Sequence, residues 1–209
     1  MPRFIVFEGG EASGKSTQSD RLARRLGAVH TREPGGTVVG AALRDLLLDA
    51  RTAGLSDRAE ALLMLADRAQ HVAEVVRPAL DAGRHVVSDR YAGSTLAYQG
   101  YGRGLPVAEL RRMSGWAARE LWPDLVVLLD VPRSVAAGRT ARPPDRMEAA
   151  GEEFHERVLR GYRALAAADP GRWVVVDGAA PAGDVTAAVW AAVTDRLPDL
   201  ADVRDDSLR

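Results

Sequence analysis

The eight residues from Gly9 to Ser16, GGEASGKS, fit the pattern G-x-x-x-x-G-K-[ST], and no other stretch constrains the fold of this chain as much. They follow an apolar run, RFIVFE at 3–8, and lead into a helical pattern over 15–26, which is the strand–loop–helix setting the pattern requires. There the loop backbone and the helix N-terminus hold phosphates. Gly9, Gly10, Glu11, Ala12, Ser13, Gly14, Lys15, Ser16 and Thr17 are the expected phosphate-binding residues. Lys15 reaches the β- and γ-phosphates of a bound nucleotide, and the Ser16 hydroxyl takes Mg²⁺. Lys15 is the one lysine in a chain with 28 Lys plus Arg, and asparagine is absent. A lysine kept here, where arginine serves everywhere else, points to a need for a compact ammonium rather than a planar guanidinium.

Further apolar runs at 28–32, 85–89, 124–131 and 172–177 suit strands buried on both faces of a parallel sheet. Between them lie helical stretches over about 37–49, 57–81, 106–120, 132–140, 148–168 and 181–196. This alternation, with the P-loop at its start, predicts an α/β chain: a three-layer P-loop fold with a five-stranded parallel sheet and flanking helices, one domain over 1–200 and a polar tail over 201–209. A net charge of −1 does not suggest nucleic acid or an anionic membrane as partner, and a chain without cysteine forms no disulfide or thiolate site. No apolar run has the roughly 20 residues needed to span a bilayer. The chain opens on a strand pattern with no signal-peptide layout, so a cytoplasmic location is expected.

Four more segments carry chemistry. SDRY at 88–91 ends the third strand, where ligands of such sheets bind. Asp89 is placed to meet Mg²⁺ through water and Arg90 to reach a phosphate. TREPGGT at 31–37 turns at Pro-Gly-Gly and sets Arg32 and Glu33 at the same sheet edge, unless they are an incidental surface pair. In LLMLADRAQHV at 62–72 the stripe Leu62, Leu65, Ala69, Val72, Val76 should face the core, which puts Met64 and Arg68 on a neighbouring flank that could line a cleft. GRTARPPDRME at 138–148 carries Arg139, Arg142 and Arg146 around a Pro-Pro break and reads as a lid over phosphates, or as an arginine-rich surface loop.

Together the P-loop with an acid at its second variable position, REPGGT, ADRAQHV, DRY, STLAYQG, PDLVVLLDV and DRME resemble bacterial thymidylate kinases over nearly the whole chain. The resemblance implies transfer of the γ-phosphoryl group of ATP to dTMP, giving dTDP in dTTP synthesis, with Mg²⁺ and a homodimer. It implies that Glu11 turns toward the acceptor and contacts the deoxyribose 3′-OH. A carboxylate accepts a hydrogen bond from a hydroxyl but repels phosphate. Arg32 and Arg90 would contact the acceptor phosphate. Arg68 and Gln99 would read the thymine edge, with Ser94, Thr95 and Tyr98 nearby and Pro34 beside the 5-methyl group. Met64 stands where the family commonly has a phenylalanine that stacks on thymine. None of the variable loop positions, Gly10, Glu11, Ala12 and Ser13, is basic, so Arg139 and Arg142 would supply the charge on the transferring group, with the choice between them open. The alternatives are a kinase of another nucleoside monophosphate, such as dUMP, and a P-loop switch protein. A GTPase reading guanine through Asn-Lys-x-Asp is excluded by the lack of asparagine.

Overall fold

Five apolar strands, β1 Phe4–Glu8, β2 Val29–Arg32, β3 Val86–Asp89, β4 Leu125–Asp130 and β5 Trp173–Asp177, pair in parallel in the order β2-β3-β1-β4-β5. The structure is a computed structural model that describes residues 1–52, 54–139 and 145–201. Side chains alternate across β1, so Ile5 and Phe7 join one core with Leu22, Leu26, Val87, Val127, Val185 and Val189. Phe4 and Val6 face the other side with Val72, Val76 and Val126. Both faces of the inner strands β1, β3 and β4 are covered, which is why these three read as nearly unbroken apolar runs, while the edge strands β2 and β5 are partly exposed. The register sets Phe7 opposite Asp89 and Glu8 opposite Leu128, so the loop leaving β1 starts level with the carboxyl ends of β3 and β4.

The helices are α1 Lys15–Leu26, α2 Val38–Leu48, α3 Asp57–His71, α4 Arg77–Asp81, α5 Ala92–Thr95, α6 Val107–Ala117, α7 Arg133–Ala137, α8 Glu152–Ala168 and α9 Ala182–Arg196. The helical stretch expected over 57–81 is continuous but not uniform. It widens into a π-type turn at Val72–Val76 ahead of Pro78, which has no amide hydrogen for the carbonyl four residues back. The expected core stripe keeps Leu65, Val72 and Val76, but Ala61 and Arg68 take the places of Leu62 and Ala69. Ala61, Leu65, Arg68, Val72 and Val76 are buried, Leu62 is 55% exposed and Ala69 is only partly covered. A second difference is helical: α5 runs on through a π-type turn, Leu96–Gly102, where no helix was expected. Gly102 and Gly161 let this segment lie against α8, since a Cβ at Gly102 would stand 2.6 Å from Phe154 and one at Gly161 2.7 Å from Tyr101. Among the described residues no helix is long and apolar enough to cross a membrane.

Candidate active site

Gly9 turns the chain off β1 at φ +145°, and a Cβ there would come within 2.6 Å of the Leu129 carbonyl, so only glycine fits. Helix α1 then starts at Gly14, φ +91°, with no side chain capping its first N–H groups. By contrast Thr37 accepts from Gly40 at the start of α2, and Ser56 accepts from Ala59 at the start of α3. The uncapped N-terminus opens into a cavity of about 1130 Å³ lined by loop residues 11–17, Asp89, Arg90, Arg32, Arg44 and Arg139. Free N–H groups with several cations around them make a polyanion site. Lys15 is 5% exposed and donates to the Gly10 carbonyl at 2.6 Å and to Ser13 Oγ at 3.2 Å. Burial, with Arg90 nearby, pushes its ammonium down to about 8. Ser16 Oγ donates to Asp89 Oδ2 at 2.5 Å, while Asp89 Oδ1 is buried without a hydrogen-bond partner. A hydroxyl beside an orphaned carboxylate oxygen suits a hard divalent cation.

Glu11 is hydrogen-bonded to residues outside the loop. Its Oε1 accepts from Arg90 Nη2 at 2.6 Å and from the Tyr98 hydroxyl at 2.7 Å. Burial alone would raise the Glu11 carboxyl, but Arg90 and Lys15 outweigh it and hold it at about 2. Arg90 adopts φ +73°, a strained conformation for a residue with a side chain, costing of order 1–3 kcal/mol. Its surroundings fix it there. Its Nη1 donates to the Gly9 carbonyl at 3.0 Å, to Tyr162 at 3.0 Å and to Ser94 Oγ at 3.2 Å. Behind it, buried Glu8 takes the backbone N–H groups of Tyr91 and Ser94 and the Ser94 hydroxyl at 2.6 Å, and burial pushes its carboxyl up to about 6.

A smaller cavity of about 90 Å³ adjoins the first and is walled by Glu11, Pro34, Arg44, Met64, Arg68, Arg90, Ser94, Thr95, Tyr98, Gln99 and Met147. The structure thus brings the whole expected acceptor set together except Arg32, which is exposed and lines the larger cavity. Met64 lines the wall, as a cleft-facing flank requires. Arg68 does not sit on a solvated flank: it is 2% exposed, bonds Thr95 Oγ1 at 3.1 Å and Ser114 Oγ at 3.3 Å, and lies 2.9 Å from Glu33 Oε2. Glu33 is therefore no surface partner of Arg32; it is buried between Arg68 and His71, whose Nδ1 is 2.7 Å away. Among the buried polar atoms of residues lining this cavity, Arg68 Nε, Gln99 Oε1, Asp67 Oδ2 and Glu33 Oε2 have no hydrogen-bond partner, although Glu33 Oε2 is ion-paired to Arg68.

At the other end, Arg139 donates to the Ala12 carbonyl at 3.4 Å and to the Gly178 carbonyl at 3.0 Å, so it joins the phosphate loop to the turn after β5. Arg142 lies outside the described residues. Arg146 is not a lid charge over phosphates: it is buried, with Nη1 2.8 Å from Glu60 and Nε donating to the Leu47 carbonyl. Sequence reasoning missed Arg44, which lines both cavities and donates to the Pro34 carbonyl at 3.0 Å. Burial, with Arg32 and Arg90 close by, lowers its pKa. Its only signal is its place two turns beyond the Thr37 cap, on the helix that follows the REPGGT turn.

Comparison with known proteins agrees with this geometry. A family described as thymidylate kinase matches residues 7–189. A thymidylate kinase of Solidesulfovibrio magneticus is 52% identical over 204 residues, covering 91% of this chain and 98% of that protein. One from Bifidobacterium longum is 46% identical over 206 residues, covering 95% and 98%. The crystal structure of thymidylate kinase from Ehrlichia chaffeensis superposes with a TM-score of 0.77 at 30% identity, covering 92% of this chain and 98% of that one.

Proposed function

The chain belongs to the thymidylate kinase family, and from that premise we propose that it transfers the γ-phosphoryl group of ATP to dTMP, giving ADP and dTDP. The observation that carries this reading is that Glu11, Arg44 and Arg90 line both cavities, so a donor phosphate in the larger one and an acceptor phosphate in the smaller one meet at the same side chains. The α1 N-terminus and Lys15 hold the β- and γ-phosphates. Arg44 and Arg90, which line both cavities, face the acceptor phosphate, while Arg32 approaches from the larger cavity. Arg139 and Arg142 supply charge to the transferring group, which carries more of it on its equatorial oxygens in the transition state. Ser16 and, through water, Asp89 would hold Mg²⁺, which would supply positive charge to offset that of the donor phosphates. The acceptor phosphate is itself the nucleophile, so no protein nucleophile is required, and the work is positioning and electrostatic. Pairing with Arg90 keeps Glu11 ionised and directed to the acceptor sugar, whose 3′-OH it can accept from.

A homodimer is part of the proposal. Leu62 on α3 and Trp116 on α6 are 55% and 81% exposed, and these two helices pack against each other, so the apolar residues belong to one side of the molecule. ADP release measured with ATP and a panel of dTMP, dUMP, dCMP, dGMP or no acceptor tests the activity. Fastest turnover with dTMP is expected. Equal ADP release without acceptor would make the protein an ATPase, and preference for another monophosphate would reassign the acceptor.

A further inference from the structure

Gln99 lines the smaller cavity and is fully buried; its Nε2 donates to Glu60 Oε1 at 2.8 Å, while its Oε1 has no hydrogen-bond partner. Glu60 is 1% exposed and is not part of that wall. Two guanidinium groups close on it from different parts of the chain. Arg103 approaches through Nε at 3.2 Å and Nη2 at 3.0 Å, and Arg146 through Nη1 at 2.8 Å. Burial works against the Glu60 charge, but these cations and Gln99 hold its pKa below the ordinary carboxylate value. An ionised carboxylate can only accept hydrogen bonds. The Gln99 amide therefore has one orientation open to it, NH₂ toward Glu60 and carbonyl oxygen toward the cavity.

We infer that Glu60 is a positioning residue that sets pyrimidine selectivity, by holding the Gln99 carbonyl oxygen toward the base. The inference rests on reading the smaller cavity as the base site. Thymine and uracil present an N3–H donor, which this oxygen accepts. Cytosine presents an N3 lone pair at the same place, and two acceptors facing each other in a closed site leave both unpaired. Arg146 follows the lid segment, and Met147 beside it lines the cavity, so the same carboxylate ties the far end of the lid to the group that faces the base.

Glu60→Gln separates this from a merely structural role. The two arginines claim the acceptor oxygen of the substituted amide, which leaves its NH₂ facing Gln99. The Gln99 amide then turns over and presents its own NH₂ to the cavity. The ratio of kcat/KM for dTMP to that for dCMP is expected to fall by at least about tenfold, the size of one mispaired buried hydrogen bond, while KM for ATP is unchanged. In a Gln99→Leu background the same substitution is expected to leave the ratio unaffected. An unchanged ratio in Glu60→Gln, or an equal drop in the Gln99→Leu background, overturns the inference. A readout in the wild type does not depend on the variants folding. The chain has no asparagine and three glutamines, Gln18, Gln70 and Gln99, so its side-chain amide ¹⁵N spectrum holds three pairs. The pair missing from Gln99→Leu, or the most protected pair if that variant does not fold, is expected to exchange slowly with and without dTMP. Three fast-exchanging pairs overturn the inference. A wild type that does not use dTMP removes the base-site reading itself; one that uses dTMP with the ratio unmoved in Glu60→Gln removes only the role of Glu60.

Discussion

Lys15 and Glu11 sit four residues apart with opposite tasks, and their titration behaviour makes both tasks measurable. With its ammonium lowered to about 8 in the free protein, Lys15 is partly deprotonated above that pH, and a bound polyphosphate raises it again. ATP binding at pH 8.5 is therefore expected to take up a fraction of a proton, and ATP affinity to fall as pH rises from 8. Calorimetry in two buffers of different ionisation heat reads this directly, and Lys15→Arg is expected to remove the uptake and to lower turnover at least about tenfold, because the planar head does not fit between the Gly10 carbonyl and Ser13. Glu11 has the opposite sign. Its carboxyl lies at about 2, below the ordinary 4.5, so it contributes stability above pH 4.5 that is lost as pH falls toward 2. Glu11→Gln is expected to flatten the pH dependence of stability in that window in urea unfolding. It is also expected to raise KM for dTMP about tenfold, the scale of a lost charged hydrogen bond, with ATP affinity equal or tighter. A collapse of ATP affinity with dTMP use intact would place Glu11 on the donor side. The loop pattern made Lys15 and Ser16 legible, and the resemblance named most of the acceptor set. Glu8, Glu33 and Glu60 were not legible as interior groups, because a carboxylate in a sequence reads as surface until the fold brings Ser94, Arg68 or Arg103 against it.

The three inner strands, β1, β3 and β4, were readable because they are buried on both faces and so largely apolar, whereas the edge strands β2 and β5 are partly exposed and were readable from their place in the strand–helix alternation. The segment from Ala92 to Gly102 was not, because Gly93, Gly100 and Gly102 dilute any helical period and its contacts come from α8, some 60 residues later. Packing, not propensity, makes it a helix. The burial of Arg68 in place of Ala69 has a similar origin: the interior accepts the Arg68 guanidinium, since Glu33, Thr95 and Ser114 meet it there. Gly161→Ala tests the close contact between α8 and the 92–102 segment. The added methyl would lie 2.7 Å from the Tyr101 ring, and overpacking of this kind costs about 1–3 kcal/mol. The denaturation midpoint should fall accordingly. KM for dTMP should rise more than KM for ATP, since Tyr98 and Gln99 lie on the displaced segment. A stability loss with both KM values unchanged would show that the segment shifts as a unit without disturbing the base site.

For the molecule as a whole, the proposed dimer places Leu62 and Trp116 out of water. Trp116→Asp is expected to convert the sedimenting species from dimer to monomer at micromolar concentration, and a wild type that sediments as a monomer would leave both side chains as isolated surface apolar groups. Having Lys15 as its one lysine also gives the molecule an unusual chemical handle. Apart from the terminal amine, an acylating reagent has a single primary amine to attack, and it lies in the donor cradle with its basicity already reduced to about 8. Every internal acylation event therefore falls on the phosphate site. The fraction of protein carrying one internal acyl group, read by intact mass, should equal the fraction of kinase activity lost, and saturating ATP should suppress both together.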